Sequence, residues 1–358
     1  MTTPQRPPSR RHVITAAALL GPAGLLAGCS ETLGKAPATA GPAPTSTPSP
    51  TPTPSPTPTP DPTWPLTGTT GDIVDRPAMT VKIENSAASR PQTGLQQADV
   101  VWEEMVEGGI TRYAAVYHSR LPETFGPVRS VRPMDPAMAA PYGGLMVFSG
   151  GQTPFVTALR DAGLQLFADD LGSPGFYRSS DRYAPHNLYA DPQVFLDNAD
   201  SDHSDPPPEQ LTFAETAEEA TAATDGERAE SIRITFPSAT PGWTWDSEEK
   251  RWWRSEAGQD AVTTDSDRIH TVNVVVLRVQ VVTTSYVDPS GASVPETELT
   301  GGGDAIVASG GRSLECTWSK DAEDDPLELT VDGDPVALAP GNTWIELVPV
   351  RGSSVRVG

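Results

Sequence analysis

Cysteine is nearly missing from this chain: its 358 residues include two, Cys29 and Cys316. That excludes a disulfide framework and a cysteine-built zinc site, so stability has to come from a core. Basic residues are scarce as well, with 25 Lys and Arg against 47 Asp and Glu and a formal net charge of −22. Nucleic acid requires clustered Lys and Arg, and no basic run exists beyond the first dozen residues, so no nucleic acid partner is expected. Long apolar runs are wanting too. The apolar stretch at residues 13–27 is too short to cross a bilayer core of ~30 Å as a helix, which argues against a transmembrane anchor. Strong catalytic signatures are absent. Ser130 and Ser149 sit in no nucleophile elbow. His118, His186, His203 and His270 lack ligand spacing, and Asp332-Gly333-Asp334 is too short for a calcium loop, so neither metal nor cofactor is expected.

What is present begins with a leader. Arg6, Arg10 and Arg11 precede the apolar stretch, and Gly21-Pro22, Gly24 and Gly28 within it oppose a buried helix. The stretch closes on Leu26-Ala27-Gly28-Cys29, which resembles a bacterial lipobox. The resemblance implies a signal peptide over 1–28, a diacylglyceryl group on Cys29, and a lipid-anchored protein on the extracytoplasmic face of the cell membrane. Acylation of Cys29 leaves Cys316 without a disulfide partner. Ser9-Arg10-Arg11-His12-Val13-Ile14 also resembles a twin-arginine signal, which leaves both export routes open. Residues 29–71 read as a disordered Pro/Thr/Ser-rich stalk, whose centre in polyproline II at ~3.1 Å per residue would reach up to roughly 90 Å, far enough to enter cell-wall polymer.

A mixed α/β (α+β) fold is expected beyond it: an N-terminal α/β sandwich unit over 72–200, an acidic connector over 201–230, and a β-rich C-terminal unit over 231–358. Met79-Thr80-Val81-Lys82-Ile83 alternates as a strand. Residues 153–162 place Phe155, Val156 and Leu159 on one helical face ahead of Gly163, and Asp191-Pro192 opens a second helix. The stretch 200–230 carries ten acids against one base, Arg228, and reads as an exposed linker, partly helical at 215–223. Trp243-Thr244-Trp245 and Arg251-Trp252-Trp253-Arg254 flank a hairpin turn, and the valine-rich run 271–283 suits a central strand. Adjacent Trp252 and Trp253 must point to opposite faces, so the tryptophans suit core packing or a sugar-stacking platform.

Polar residues concentrate in constrained contexts: Glu84-Asn85, Ser89-Arg90-Pro91-Gln92, Glu103-Glu104, Glu107-Gly108-Gly109-Ile110-Thr111-Arg112, Gly126-Pro127-Val128-Arg129-Ser130-Val131-Arg132, and Arg182-Tyr183-Ala184-Pro185-His186-Asn187. These motifs resemble the YerB-like family of bacterial lipoproteins, which carries paired N- and C-terminal domains of unknown function. The likeness covers about 73–198 and 232–349 and implies a two-part α/β fold without an assigned activity. From residue chemistry, Arg90, Arg112, Arg129, Arg132 and Arg182 can form a carboxylate- or phosphate-binding cleft with Asn85, Glu107, Thr111, Ser130, His186 and Asn187. The opposing reading pairs each arginine with Asp99, Glu103, Glu104, Glu107 or Asp135 as structural ion pairs. A binding lipoprotein with an anionic envelope ligand or an acidic partner segment is the first expectation. The alternatives are a glycan or peptide hydrolase using Glu103 or Glu107 with His186, and a structural scaffold.

Overall fold

Residues 61–358 are described by the structure, a computed structural model. The leader, Cys29 and the stalk as far as residue 60 lie outside the described residues.

In the first segment β1 (Met79–Glu84), β2 (Val100–Met105), β3 (Thr111–Tyr117), β4 (Leu145–Phe148) and β5 (Gln165–Ala168) are accompanied by α1 (Asp135–Ala139) and α2 (Thr153–Asp161). A ribbon of β6 (Phe176–Arg178) and β7 (Leu188–Ala190) leads into α3 (Pro192–Asp197). Phe155, Val156 and Leu159 bury one face of α2, with Gly163 beyond its end at φ +79°. The Asp191 side chain caps α3 by accepting from Gln193 N.

In the second segment α4 (Thr221–Asp225) and β8 (Glu227–Arg228) precede β9 (Ser231–Thr235), β10 (Pro241–Asp246), β11 (Arg251–Glu256), β12 (Gln259–Asp260) and β13 (His270–Thr271). Then follow β14 (Asn273–Val287), β15 (Ser293–Glu298), β16 (Gly301–Ser309), β17 (Arg312–Lys320), β18 (Glu328–Val331), β19 (Asp334–Pro335), β20 (Thr343–Pro349) and β21 (Ser354–Val357). The β10–β11 turn forms because Asp246 accepts from the backbone of Glu248 and Glu249, and it sets Trp245 opposite Trp252.

A thirteen-stranded sheet runs β19-β18-β17-β16-β14-β20-β2-β3-β1-β4-β5, with β15 on β14 and β8 on β17. Its middle is parallel: β20 lies between β14 and β2, so strands from both segments share one sheet. Both faces are covered. Val81, Ile83, Val101, Val274 and Val276 meet Ile232, Ile234, Trp243 and Trp252 of the second sheet, β12-β11-β10-β9-β21. On the opposite face Val100, Trp102, Val116, Val275 and Leu347 pack with Met134 and Met138 around α1. The fold is therefore mixed and β-rich.

Two expectations are corrected. The stalk does not extend to 71, because residues 63–70 form a turn closed by Trp64 N donating to Thr69 O, and Trp64 and Leu66 are buried in the body. Nor is the connector an exposed linker throughout. Leu211, Ala220, Ala222 and Ala229 are buried, and Phe213 bridges to Leu338. Small alanines sink between acids that stay in water, a pattern too weak in hydropathy to reveal the burial.

Candidate functional site

Side chains of a strand alternate between faces, and here the alternation splits the polar residues of β1, β2 and β3 into two sets. Lys82, Glu84, Glu104 and Arg112 share the face that carries α1. Arg112 is paired in register with Glu84 on one side and Glu104 on the other. Lys82 Nζ contacts Glu104 and lies 2.6 Å from Asp135 Oδ1, and burial pushes its amine down to about 8 against the pull of Asp135. Arg132 makes a fork with Glu107, its Nε and Nη2 donating at 2.6 and 2.9 Å.

Arg112 has no such partner. It is 7% exposed, its Nη1 donates to Ser130 O at 2.7 Å, and among the described residues no carboxylate oxygen lies within ion-pair distance of it. Burial first, then the positive charges of Arg132 and Arg129, push the guanidinium down to about 9, still charged at neutral pH.

The segment 125–130 brings in the next residues. It runs beside β1, with Glu84 N donating to Pro127 O, Arg129 N to Lys82 O and Val128 N to Leu188 O. Gly126 allows this at φ +154°, since a Cβ there would stand 2.9 Å from Leu188 O and 2.7 Å from the Tyr189 ring. Arg129 Nε thereby comes 3.4 Å from Glu84 Oε2 in poor alignment, and both atoms are buried without a hydrogen-bond partner. Ser130 Oγ faces Ser149 Oγ at 3.2 Å. His186 Nδ1 lies 2.8 Å from Glu84 Oε1, which also accepts from Ser86 Oγ. The loop holding His186 is pinned by Arg182, which donates to the carbonyls of Ser89 and Pro91, and by Asn187, which donates to Ser179 O at 3.0 Å.

Asn85, Arg90, Thr111 and Glu103 belong to the other set, between the sheets. Asn85 Nδ2 donates to Thr111 Oγ1 at 2.8 Å, and Asn85 Oδ1 accepts from Arg90 Nε at 2.9 Å. Arg90 also pairs with Glu256 at 3.0 Å. At the centre is Arg254, fully buried, bonded to Glu103 at 2.6 Å, Glu256 at 2.6 Å and Glu346 at 3.0 Å. Its guanidinium lies over Trp344, with its carbon 4.5 Å from the ring centroid, and Trp243 follows at 5.1 Å. Burial pulls its pKa down, but Glu103 and Glu256 hold it well above the ordinary value. Burial and then the Glu103 charge raise the Glu346 carboxyl well above the carboxylate range.

The residues named from sequence thus divide. Arg112, Arg129, Ser130, Arg132, Glu107 and His186 gather around Glu84 and Lys82, whereas Arg182 and Asn187 act on loop backbone. Glu103 is taken by Arg254 and Glu107 by Arg132, so neither is the carboxylate beside His186; Glu84 is.

The family described as "Protein of unknown function (DUF3048) N-terminal domain" matches residues 66–205, and its C-terminal counterpart matches 232–345. The chain belongs to this YerB-like family. A relative named "Putative lipoprotein YerB" from Bacillus subtilis (strain 168) is 26% identical over 299 residues, covering 80% of this chain and 86% of the relative. A crystal structure of the YerB protein from Bacillus subtilis shares the fold at a TM-score of 0.70 and 23% identity, covering 82% of this chain and 99% of that one.

Within this YerB-like chain, sequence reasoning named Glu84 only as a motif member and Lys82 only as part of a strand, although the two organise the α1-side cluster. It assigned no role to Arg254, Glu256 and Glu346, which organise the inter-sheet one. Motif position alone offered Glu84, the residue directly before Asn85. Among the described residues no helix is long and apolar enough to cross a membrane.

Proposed function

We propose that this YerB-like chain is an envelope lipoprotein, held through acylated Cys29 at the extracytoplasmic face of the membrane, whose Arg112–Arg129–Arg132 cluster binds an anionic group. One observation carries the reading: Arg112 is a buried guanidinium that makes no ion pair among the described residues and is set beside two further arginines, although Glu107 and Glu84 lie near enough to pull on it. A structural arginine would be neutralised, as Arg132 and Arg254 are. The orphaned Nε of Arg129 and the hydroxyls of Ser130 and Ser149 supply further donors. The lipid anchor is supported by the leader's composition and by the lipoprotein naming of the relative.

Calorimetric titration with inorganic phosphate tests the site. Saturable binding is expected in the wild type and none in Arg112→Met, with the fold retained by circular dichroism. Equal heats from both proteins would overturn it.

A second reading rests on the Glu84–His186 contact. A carboxylate that orients Nδ1 leaves the opposite ring nitrogen to take a proton, as a hydrolase acting on an envelope glycan or peptide requires. Turnover of a muropeptide by the wild type and its loss in His186→Gln would support this; no turnover by the wild type would dismiss it.

A further inference from the structure

Away from the arginine cluster, the turn at 63–70, the connector at 209–215 and the chain from 326 to 338 enclose an open groove of about 1010 Å³. Its volume sits at the upper end of ligand sites, which run from ~300 to ~1,000 Å³. Trp64, Phe213 and Leu329 give it apolar walls. The walls are fixed by backbone bonds: Leu338 N donates to Thr212 O, Ala214 N to Leu338 O and Gly341 N to Thr67 O.

The charge of the lining is one-sided. Asp61, Glu209, Glu215 and Glu328 all border the groove, and among the described residues no Lys, Arg or His does. Glu209, Glu215 and Glu328 are exposed, and none of the three takes part in an ion pair among the described residues. A groove whose charged lining is only negative favours a ligand that carries positive charge.

We propose that this groove binds an extended peptide segment of a partner protein in which Lys or Arg alternates with apolar side chains. An anion is repelled by the lining. A compact single amine would meet one or two of the carboxylates, which come from three separate stretches of chain. An extended peptide can pair with several of them while its apolar side chains cover Trp64, Phe213 and Leu329.

The test is fluorescence anisotropy with a labelled alternating Lys-Leu octapeptide and the full chain. Saturable binding is expected, with no binding of a Glu-Leu octapeptide. Glu209→Gln/Glu215→Gln/Glu328→Gln should weaken binding at least tenfold. The same neutralisation at exposed positions away from the groove, Glu248→Gln/Asp265→Asn/Asp267→Asn, should leave it within twofold. The proposal fails if both triple variants lose affinity alike, which means general attraction to an acidic protein. It also fails if the groove variant binds as the wild type does, if no saturable binding occurs, or if free lysine amide displaces the peptide completely at millimolar concentration.

Discussion

Replacing Arg112 by methionine should make this protein more stable and remove its affinity for phosphate. The methionine keeps most of the apolar stem and discards the charge. Holding a guanidinium charged at pH 7 where its pKa has fallen from 12.5 to about 9 costs on the order of 5 kcal/mol, at about 1.4 kcal/mol per pKa unit. Against that relief stands the bond from Nη1 to Ser130 O, a charge-assisted contact of about 1.5–3 kcal/mol. The balance favours the variant by roughly 2–4 kcal/mol, an upward shift of several degrees in Tm for a body of this size. Thermal unfolding with and without phosphate reads both halves of the claim. The wild type should gain stability as phosphate rises, by about 2.7 kcal/mol at a hundred times Kd, and the variant should gain none. A fall in Tm on substitution would mean that Arg112 is an ordinary stabilising residue. A phosphate response that survives in the variant would place the anion elsewhere.

Arg254→Met should destabilise the protein by about 3–5 kcal/mol in urea unfolding, because it strands Glu103, Glu256 and Glu346 between the sheets without their cation. Glu346→Gln should alter the pH dependence instead. A carboxyl raised in the folded state contributes stability that is intact below its ordinary value of 4.5 and is lost as pH rises through its folded value. The amide should therefore match the wild type in acid and exceed it progressively at higher pH; parallel stability curves would refute this. Cys29→Ala should leave an unprocessed or soluble species, read by fractionation and by the mass of the N-terminal peptide. A wild-type protein without acyl mass at Cys29 would overturn the anchor.

Local structure was legible where one physical cause governs it. Valine-rich β14, the apolar stripe of α2, the Asp191 cap of α3 and the turn between β10 and β11 all follow from short-range pattern, and each stands close to where the sequence puts it. The site was legible only in its membership. Lys82 and Glu84 alternate with Val81 and Ile83, which reads as a strand with one wet face, yet both are buried. Period-two alternation identifies a polar face without saying whether it meets water or other buried charges. That depends on whether a second layer covers it, and here α1 and the chain leading to it do. The same ambiguity hid Arg254, whose partners Glu103 and Glu346 come from distant stretches of sequence. No spacing rule connects residues 103, 254 and 346; the parallel pairing of β2 with β20 sets Glu103 beside Glu346, and the second sheet packed on that face brings in Arg254 from β11.

The two proposed sites follow from one distribution of charge and should answer to salt in opposite ways. The chain carries −22 overall, while a buried arginine that makes no ion pair among the described residues sits beside two more. An anion approaching that cluster first meets a repulsive field, and attraction begins only at contact. Raising ionic strength from 0.01 to 0.15 M shortens the screening length from about 30 to about 8 Å, which removes most of the long-range repulsion and leaves the buried contacts nearly unscreened. Phosphate association should therefore speed up or hold constant with added sodium chloride. The groove sits within the acidic surface, so a cationic peptide is drawn by the same field and its association should slow steeply over that range. Stopped-flow measurements on both ligands with one preparation decide the matter. Phosphate association that slows with salt as steeply as the peptide's would show that its site is an exposed basic patch, and the cluster around Arg112 would lose its place as the anion site.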